Sequence, residues 1–339
     1  MQNELSNQQN ILNENGKLKI QGWFKETDLL YNKAEIKKSL RRRIKEFDEY
    51  VIYNNNFAIK LSISDGYNIG FVTVTIIDFN KQFKHTVKLP KLFTKGKFNM
   101  PSSPNSGDTT FSNNSIGINF SRSAEKHFLK CEFVNFYNVK NLYVNISLKN
   151  NIKNTISMAT PMGKDDKYFY YGKKVLCMSA SGVVRCGGDE YIFSGSDSFA
   201  VFNWGRGIMP YKSNILWGCT CGFIQKSYIG INFGNNNTSN SINEDAVFYD
   251  GNINKIDNIS ITKLNEKSKN KINISSADKK VNLTFEPIIK SYSKISSFTF
   301  TSQENLIFGY YSGNLILNNK KNIKIKNLLG FLNNTKNKW

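Results

Sequence analysis

The 339-residue chain has only 2 histidines, 6 prolines and 5 cysteines, and each scarcity removes a class of function. His85 and His127 lie in different strand-like runs and form no HxH or HExxH frame, so no metal site is expected, and no cofactor either. Both histidines read as surface strand residues. The cysteines Cys131, Cys177, Cys186, Cys219 and Cys221 are odd in number and lack disulfide spacing, so they read as buried thiols. Within Cys219-Thr220-Cys221 an alternating strand turns both thiols to one face, where packing is their role. No apolar run approaches the roughly 18 residues of a membrane span. The opening MQNELSNQQNILNENG has neither the basic nor the apolar region of a secretion signal, so a cytoplasmic protein is expected. GxxxxGK[ST] and GxSxG are both missing, which removes phosphate-loop chemistry and the serine elbow.

Acidic residues are also short, 26 against 46 Lys and Arg, leaving a net charge of +20. The lysines are dispersed and sit among many asparagines, the pattern of a low-GC coding bias rather than of a docking stripe. No specific nucleic-acid partner is expected. Binding to a polyanion or a membrane surface stays open as an alternative, because such a charge attracts anions.

What the chain has in quantity is Phe and Tyr, 25 and 16 of them, in short alternating runs that mark β structure. One stretch reads as a helix, 32–50 (NKAEIKKSLRRRIKEFDEY), with Ile36, Leu40, Ile44 and Phe47 three or four apart. Beyond it the period is two, with strand-like runs at 56–64, 67–79, 83–90, 115–121, 125–134 and 141–149. Asp65-Gly66, Gly187-Gly188 and Asp250-Gly251 suit tight hairpins. The segment 93–114 is rich in Gly, Pro, Ser and Asn and reads as a long loop, the kind that often covers a site. The pattern predicts an all-β chain: an N-terminal extension with a short helix over 1–49, a first β meander over 50–185 and a second over 186–339. A pair of barrels or sandwiches satisfies it.

The stretch NWGRGIMPYKSNILWG, 203–218, concentrates the candidate chemistry. Arg206 between Gly205 and Gly207 is free to turn inward, and a buried arginine demands a partner. Glu244, Asp245 and Asp197 are the candidates, with an Arg206–Glu244 pair preferred. Trp204, Tyr211 and Trp217 either fill a barrel or line a cavity for an elongated apolar ligand, with Tyr211 donating a hydrogen bond at one end. Carboxyls held in a dry pocket are enough for acid–base work, which makes Glu244, Asp245 and Asp197 the candidate catalytic groups.

Together Gly22-Trp23, RRRIKEFDEYVI, FVTVTIIDF, MSASGVV, NWGRGIMPY, GINFG, INEDAVFYDGNINKI and GFLNNTKNKW resemble, in that order and over nearly the whole chain, a bacterial family known only as a domain of unknown function. That family is distantly similar to the carotenoid hydratase and AttH-like proteins, which implies two consecutive lipocalin-like antiparallel β-barrels, the second carrying the W-G-R-G motif. The chain departs from the pattern where Asn203 replaces an Asp, where Ile242-Asn243-Glu244-Asp245 replaces Thr-Glu-Asn, and where Leu332 and Asn333 stand near the C-terminal Gly-Phe in place of an acid. The resemblance and the residues together predict a protein that binds a small apolar or amphipathic ligand in a β-barrel cavity, with Asn203, Trp204, Arg206, Tyr211 and Trp217 at the site. A hydratase or isomerase of an unsaturated lipid or isoprenoid is the alternative.

Overall fold

The computed structural model describes residues 9–25, 29–150, 154–163, 165, 167–235, 242–264 and 271–338. Two compact units divide the chain, Asn3–Pro210 and Tyr211–Trp339. The expected boundary at 185/186 therefore moves to 210. The reason is strand pairing: the W-G-R-G strand lies between two strands of the first unit and belongs to it.

The first unit holds β1 (Gly22–Phe24), β2 (Ile44–Tyr53), β3 (Phe57–Asp65), β4 (Ile69–Asp78), β5 (Phe83–Leu92), β6 (Gly107–Ser112) and β7 (Ile116–Arg122). It continues with β8 (Lys126–Tyr137), β9 (Lys140–Lys149), β10 (Thr155–Pro161), β11 (Phe169–Cys186), β12 (Asp189–Phe193) and β13 (Phe199–Ile208). They form one antiparallel sheet in the order β5-β4-β3-β2-β13-β11-β9-β8-β7-β6, with β10 and β12 also on β11 and β1 on β10. A bulge in β11 between Val175 and Met178, where Cys177 has φ 56°, lets the strand change neighbours along its length. Before it β11 pairs with β10 and β13; after it the β13 pairing continues to Ser179 and the strand takes up β9 and β12.

The second unit holds β14 (Lys212–Ile224), β15 (Ser227–Asn235), β16 (Ala246–Tyr249), β17 (Asn252–Lys255) and β18 (Ile259–Lys263). β19 (Ile272–Ser276), β20 (Val281–Ser296), β21 (Thr301–Ile316) and β22 (Asn322–Lys338) complete it, in the order β17-β16-β15-β14-β22-β21-β20-β19-β18. The fold is all-β as expected, two curled lipocalin-like antiparallel sheets. Among the described residues each is a half-barrel whose ladder ends in edge strands rather than closing. β5, one such edge, carries Pro90 and the lysines 84, 88 and 91, residues that discourage further strand addition.

The expected helix at 32–50 is absent. Lys33–Glu35 and Lys38–Arg43 are short 3-10 turns, and from Ile44 the chain is already β2. Ile44, Tyr50 and Ile52 point into the core, and Glu46 and Asp48 share their row, so acids at inward positions disguise the alternation. Gly187-Gly188 and Asp250-Gly251 do close two-residue hairpins, and Asp250 and Gly251 have φ 46° and 77°, both positive as a type I′ turn requires. Asp65-Gly66 does not. Asp65 instead ends β3, accepting from the Tyr67 amide at 2.8 Å and the Thr94 hydroxyl at 2.6 Å. The expected loop at 93–114 is shorter than read, since β6 occupies its last part.

The core of the first unit lies on one face of β2, β13 and β11. Across β13 and β2 the register sets Ile208 against Ile44, Arg206 against Glu46, Trp204 against Asp48 and Phe202 against Tyr50. On the other side of β13 stand Phe169, Tyr171, Lys173 and Val175 of β11. The glycines of the motif act on the opposite face. A Cβ at Gly205 would lie 2.2 Å from the Phe47 ring, and one at Gly207 would lie 2.2 Å from the Phe169 carbonyl oxygen. Close approach on the outer face thus demands glycine on both sides of the inward Arg206.

Candidate functional site

A charged network occupies the inward row of the first unit. Arg206 is fully buried, and its Nη1 lies 2.9 Å from Asp48 Oδ1, with Nε 3.8 Å from Glu46 Oε1. Arg122 Nη1 donates to Asp48 Oδ2 at 2.7 Å, and the Thr109 hydroxyl donates to the same oxygen. The Arg206 guanidinium also stands over the Trp204 ring, 4.4 Å from its centre. Burial alone would raise the Asp48 carboxyl, but the two guanidiniums outweigh it and hold Asp48 below the usual carboxylate range.

Further donors of the network face the segment 93–106, while Arg206 Nη1 also donates to the Phe47 and Gly205 carbonyls at 2.9 Å each. Arg206 Nε and Nη2 donate to the Pro101 carbonyl at 3.2 and 2.8 Å, Arg122 Nη2 to the Ser103 carbonyl at 3.2 Å, and Lys173 Nζ to Asn105 Oδ1 at 2.9 Å. Alternate residues of the loop therefore cover three buried cations. His127, expected at the surface, is buried too, because β8 alternates and His127 shares its inward row with Leu129 and Cys131. Burial and the nearby Arg122 push it down to about 3, so at neutral pH it is uncharged and shares a 2.9 Å hydrogen bond with the Tyr50 hydroxyl.

At one end of this row, where β2 and β4 begin and β3 and β5 finish, lies a cavity of about 340 Å³ lined by Lys33, Ala34, Arg41, Ile44, Glu46, Asp65, Tyr67, Lys95 and Gly96. Glu46 belongs to both cavity and network: Lys33 Nζ reaches its Oε2 at 3.1 Å, and Oε1 faces Arg206. Tyr31 is buried beside Glu46, and burial together with that carboxylate holds its phenol well above the ordinary tyrosine range. Arg41 is fixed by donating to the carbonyls of Ile36 and Ala34, at 3.2 and 3.1 Å. The cavity thus offers three cations, Lys33, Arg41 and Lys95, and two acids, Glu46 and Asp65, of which Asp65 is already engaged by the Tyr67 amide and the Thr94 hydroxyl.

The structure divides the candidates read from the sequence. Trp204 and Arg206 meet, but Arg206 pairs with Glu46 and Asp48, while Glu244 and Asp245 belong to the second unit. Register explains the correction, since β2 lies beside β13 and brings its acids opposite residues 204 and 206. Asn203 points the other way. It accepts from Lys174 Nζ and donates to Glu49 Oε1 at 3.3 Å, and Glu49 pairs with Lys60 at 2.6 Å. An aspartate there would keep the lysine but set a second carboxylate against Glu49, so the amide suits this row. Asp197 is exposed in the turn before β13, bonded to the Ser198 hydroxyl at 2.7 Å.

Trp217 is buried in the second unit, donating to Asn232 Oδ1 at 2.8 Å and meeting Phe331 edge-on at 4.9 Å. Tyr211 is 39% exposed, with Lys338 over its ring. Asp245 accepts from the Gly234 amide at 2.8 Å; burial raises its carboxyl, against the pull of that amide and of Lys255, while burial lowers the Lys255 ammonium. The sequence reading missed Glu46, Asp48, Arg122 and Lys33. Glu46 and Asp48 had one signal, the alternation of acids in KEFDEY; Arg122 and Lys33 had none. All five cysteines are buried thiols outside any disulfide, and among the described residues no cluster of His, Cys, Asp and Glu fits a metal. No helix there is long and apolar enough to cross a membrane.

Kievitone hydratase from Nectria haematococca is similar in structure, with a TM-score of 0.50, 9% identity and coverage of 86% of this chain and 88% of that one. CghA with Sch210972 gives 0.47 at 8% identity over 87% and 88% of the two chains, and a putative AttH from Nitrosomonas europaea gives 0.47 at 7% over 86% and 92%. At such identities the likeness to the hydratase shows the fold alone. Among curated proteins no sequence relative matches. The family described as Domain of unknown function (DUF2804) matches residues 2–339, and the chain belongs to it.

Proposed function

We propose that the first unit binds a small amphipathic molecule bearing an anionic group, in the cavity between Glu46 and Lys95. One observation carries the reading: a cavity of about 340 Å³, within the range of small-molecule sites, opens onto a buried charged network that a fold of this kind does not need for packing. Lys33, Arg41 and Lys95 supply the anion's partners, Ile44 and Tyr67 supply apolar contact, and Glu46 accepts from a ligand hydroxyl. An elongated apolar ligand inside the sheet fits less well, because side chains from Trp204 to Phe120 fill that interior. Native mass spectrometry of protein from its own host, followed by denaturing extraction, tests the reading. A released small anion, lost when Lys33 and Lys95 are both replaced by Ala, supports it, and an empty wild-type protein rejects it.

A second reading is a hydratase or isomerase in the same cavity. It is favoured by the placement of Glu46 on a cavity wall beside the buried Tyr31 hydroxyl, an acid and a phenol held out of water. Asp245, with its raised carboxyl, is the competing acid. Once the ligand is known, Glu46→Gln abolishes turnover in this reading and Asp245→Asn does not. The reverse result moves the chemistry to the second unit.

A further inference from the structure

We infer that a second small-molecule site, suited to a single aromatic ring carrying an acidic group, lies at the opposite end of the first unit from the Glu46 cavity. Three turns meet there: the one between β4 and β5, the one between β8 and β9, and Gly187-Gly188 between β11 and β12. They enclose a cavity of about 280 Å³ walled by Ile76, Phe83, Tyr137, Cys186 and Tyr191, with Lys81, Lys140 and Asp189 at its rim. That volume holds about one ring with a short substituent.

The aromatic walls are set before any ligand arrives. Tyr191 stacks on Phe57 with ring centres 3.9 Å apart and planes 11° off parallel, and its hydroxyl donates to Asp78 Oδ2 at 3.0 Å. Phe83 and Tyr137 meet edge-on at 5.0 Å. Rings held at fixed angles favour a flat aromatic guest over a flexible chain, since the guest meets both a face and an edge. Burial pushes the Cys186 thiol up, so that part of the wall is a neutral, apolar surface.

The rim supplies the charge. Lys81 Nζ is 2.7 Å from Asp189 Oδ1, an ion pair whose members are 54% and 44% exposed and which ties the β4–β5 turn to the β11–β12 turn. Such a pair is weak, so Lys81 can exchange Asp189 for a ligand carboxylate at little cost. Lys140 is exposed and forms no ion pair among the described residues. An acidic group on the guest gives it one.

Each cavity contains one isoleucine, Ile76 here and Ile44 at the other end, which makes methyl NMR the direct test. The intact protein, labelled at its isoleucine δ1 methyls, is titrated with 4-hydroxybenzoate and with its uncharged counterpart 4-hydroxybenzyl alcohol. The Ile76 methyl shifts with 4-hydroxybenzoate while Ile44 stays still, and the alcohol binds more weakly. Lys140→Glu, at an exposed position that leaves the fold intact, weakens the acid by about tenfold or more through charge reversal. The double Lys33→Ala, Lys95→Ala variant leaves the Ile76 response unchanged, which separates this site from the other cavity. An unmoved Ile76, a shift confined to Ile44, or an affinity indifferent to Lys140→Glu overturns the inference.

Discussion

The two units fold alike and treat charge differently. In the second, the core cluster is aliphatic and aromatic, from Ile229 and Phe233 to Phe285 and Ile325, and the polar groups inside it, such as Asn232 and the Tyr311 hydroxyl, find neutral partners. In the first, the inward row of β2 and β13 carries Glu46, Asp48 and Arg206 at its middle, with Arg122 closing on Asp48. Each buried ion costs several kcal/mol of lost hydration, and apolar residues of similar volume often stabilise as well or better. The second unit buries charge too, at Glu244, Asp245 and Lys255, but its core cluster holds together with no arginine at all. What sets the charges of the first apart is what they contact, the cavity at Glu46 and the covering loop.

Breaking the network gives the largest expected effect. Arg206→Met takes one cation from each of two buried carboxylates, leaving Arg122 on Asp48 and Lys33 on Glu46, and lowers stability by about 3–5 kcal/mol, whereas Trp217→Phe in the second unit removes one neutral hydrogen bond and costs about 1–3 kcal/mol. Urea denaturation of the two variants measures the gap, and equal losses refute the contrast. Comparable to the Trp217 change is Gly205→Ala, whose new methyl meets the Phe47 ring and costs about 1–3 kcal/mol. The parallel Gly218→Ala in β14 meets the Phe233 ring at the same 2.2 Å and costs a similar amount, so here the units behave alike.

The subtlest contrast is in pH. Asp48 is more acidic folded than unfolded, so its contribution is present above the ordinary carboxylate range and is lost as pH falls. Asp245 is less acidic folded, so its contribution is present at low pH and is lost as pH rises through its raised value. Asp48→Asn is accordingly most damaging near neutrality and least in acid. Asp245→Asn gains on the wild type as pH rises. Denaturation midpoints across a pH series read both slopes, and slopes of the same sign contradict the difference between the two sites.

Much of the fold was legible because period-two runs and two-residue turns are local signals. Runs such as 83–90 and 141–149 fall within β5 and β9. The site was legible only in part. Trp204 and Arg206 announced themselves, but Arg206's partners lie some 160 positions earlier on β2, and only the pairing of β13 with β2 brings them together. Glu46 and Asp48 hid twice over: acids at inward positions broke the apolar alternation, and Ile36, Leu40, Ile44 and Phe47 imitated a helix across the start of the strand. His127 was misplaced for a related reason, since a polar residue in an inward row looks like an outward one until its hydrogen-bond partner, Tyr50, is known. Trp217 and Tyr211, close in sequence to the motif, lie beyond Pro210 in the other unit.

The most direct test of the central claim is native mass spectrometry of the protein isolated from its own host, wild type beside the Lys33→Ala, Lys95→Ala double variant. A small anion that accompanies the wild type and is absent from the variant is the predicted result. A wild-type protein that carries nothing, or a ligand retained equally by both, contradicts the claim that the first unit's charges serve a binding site.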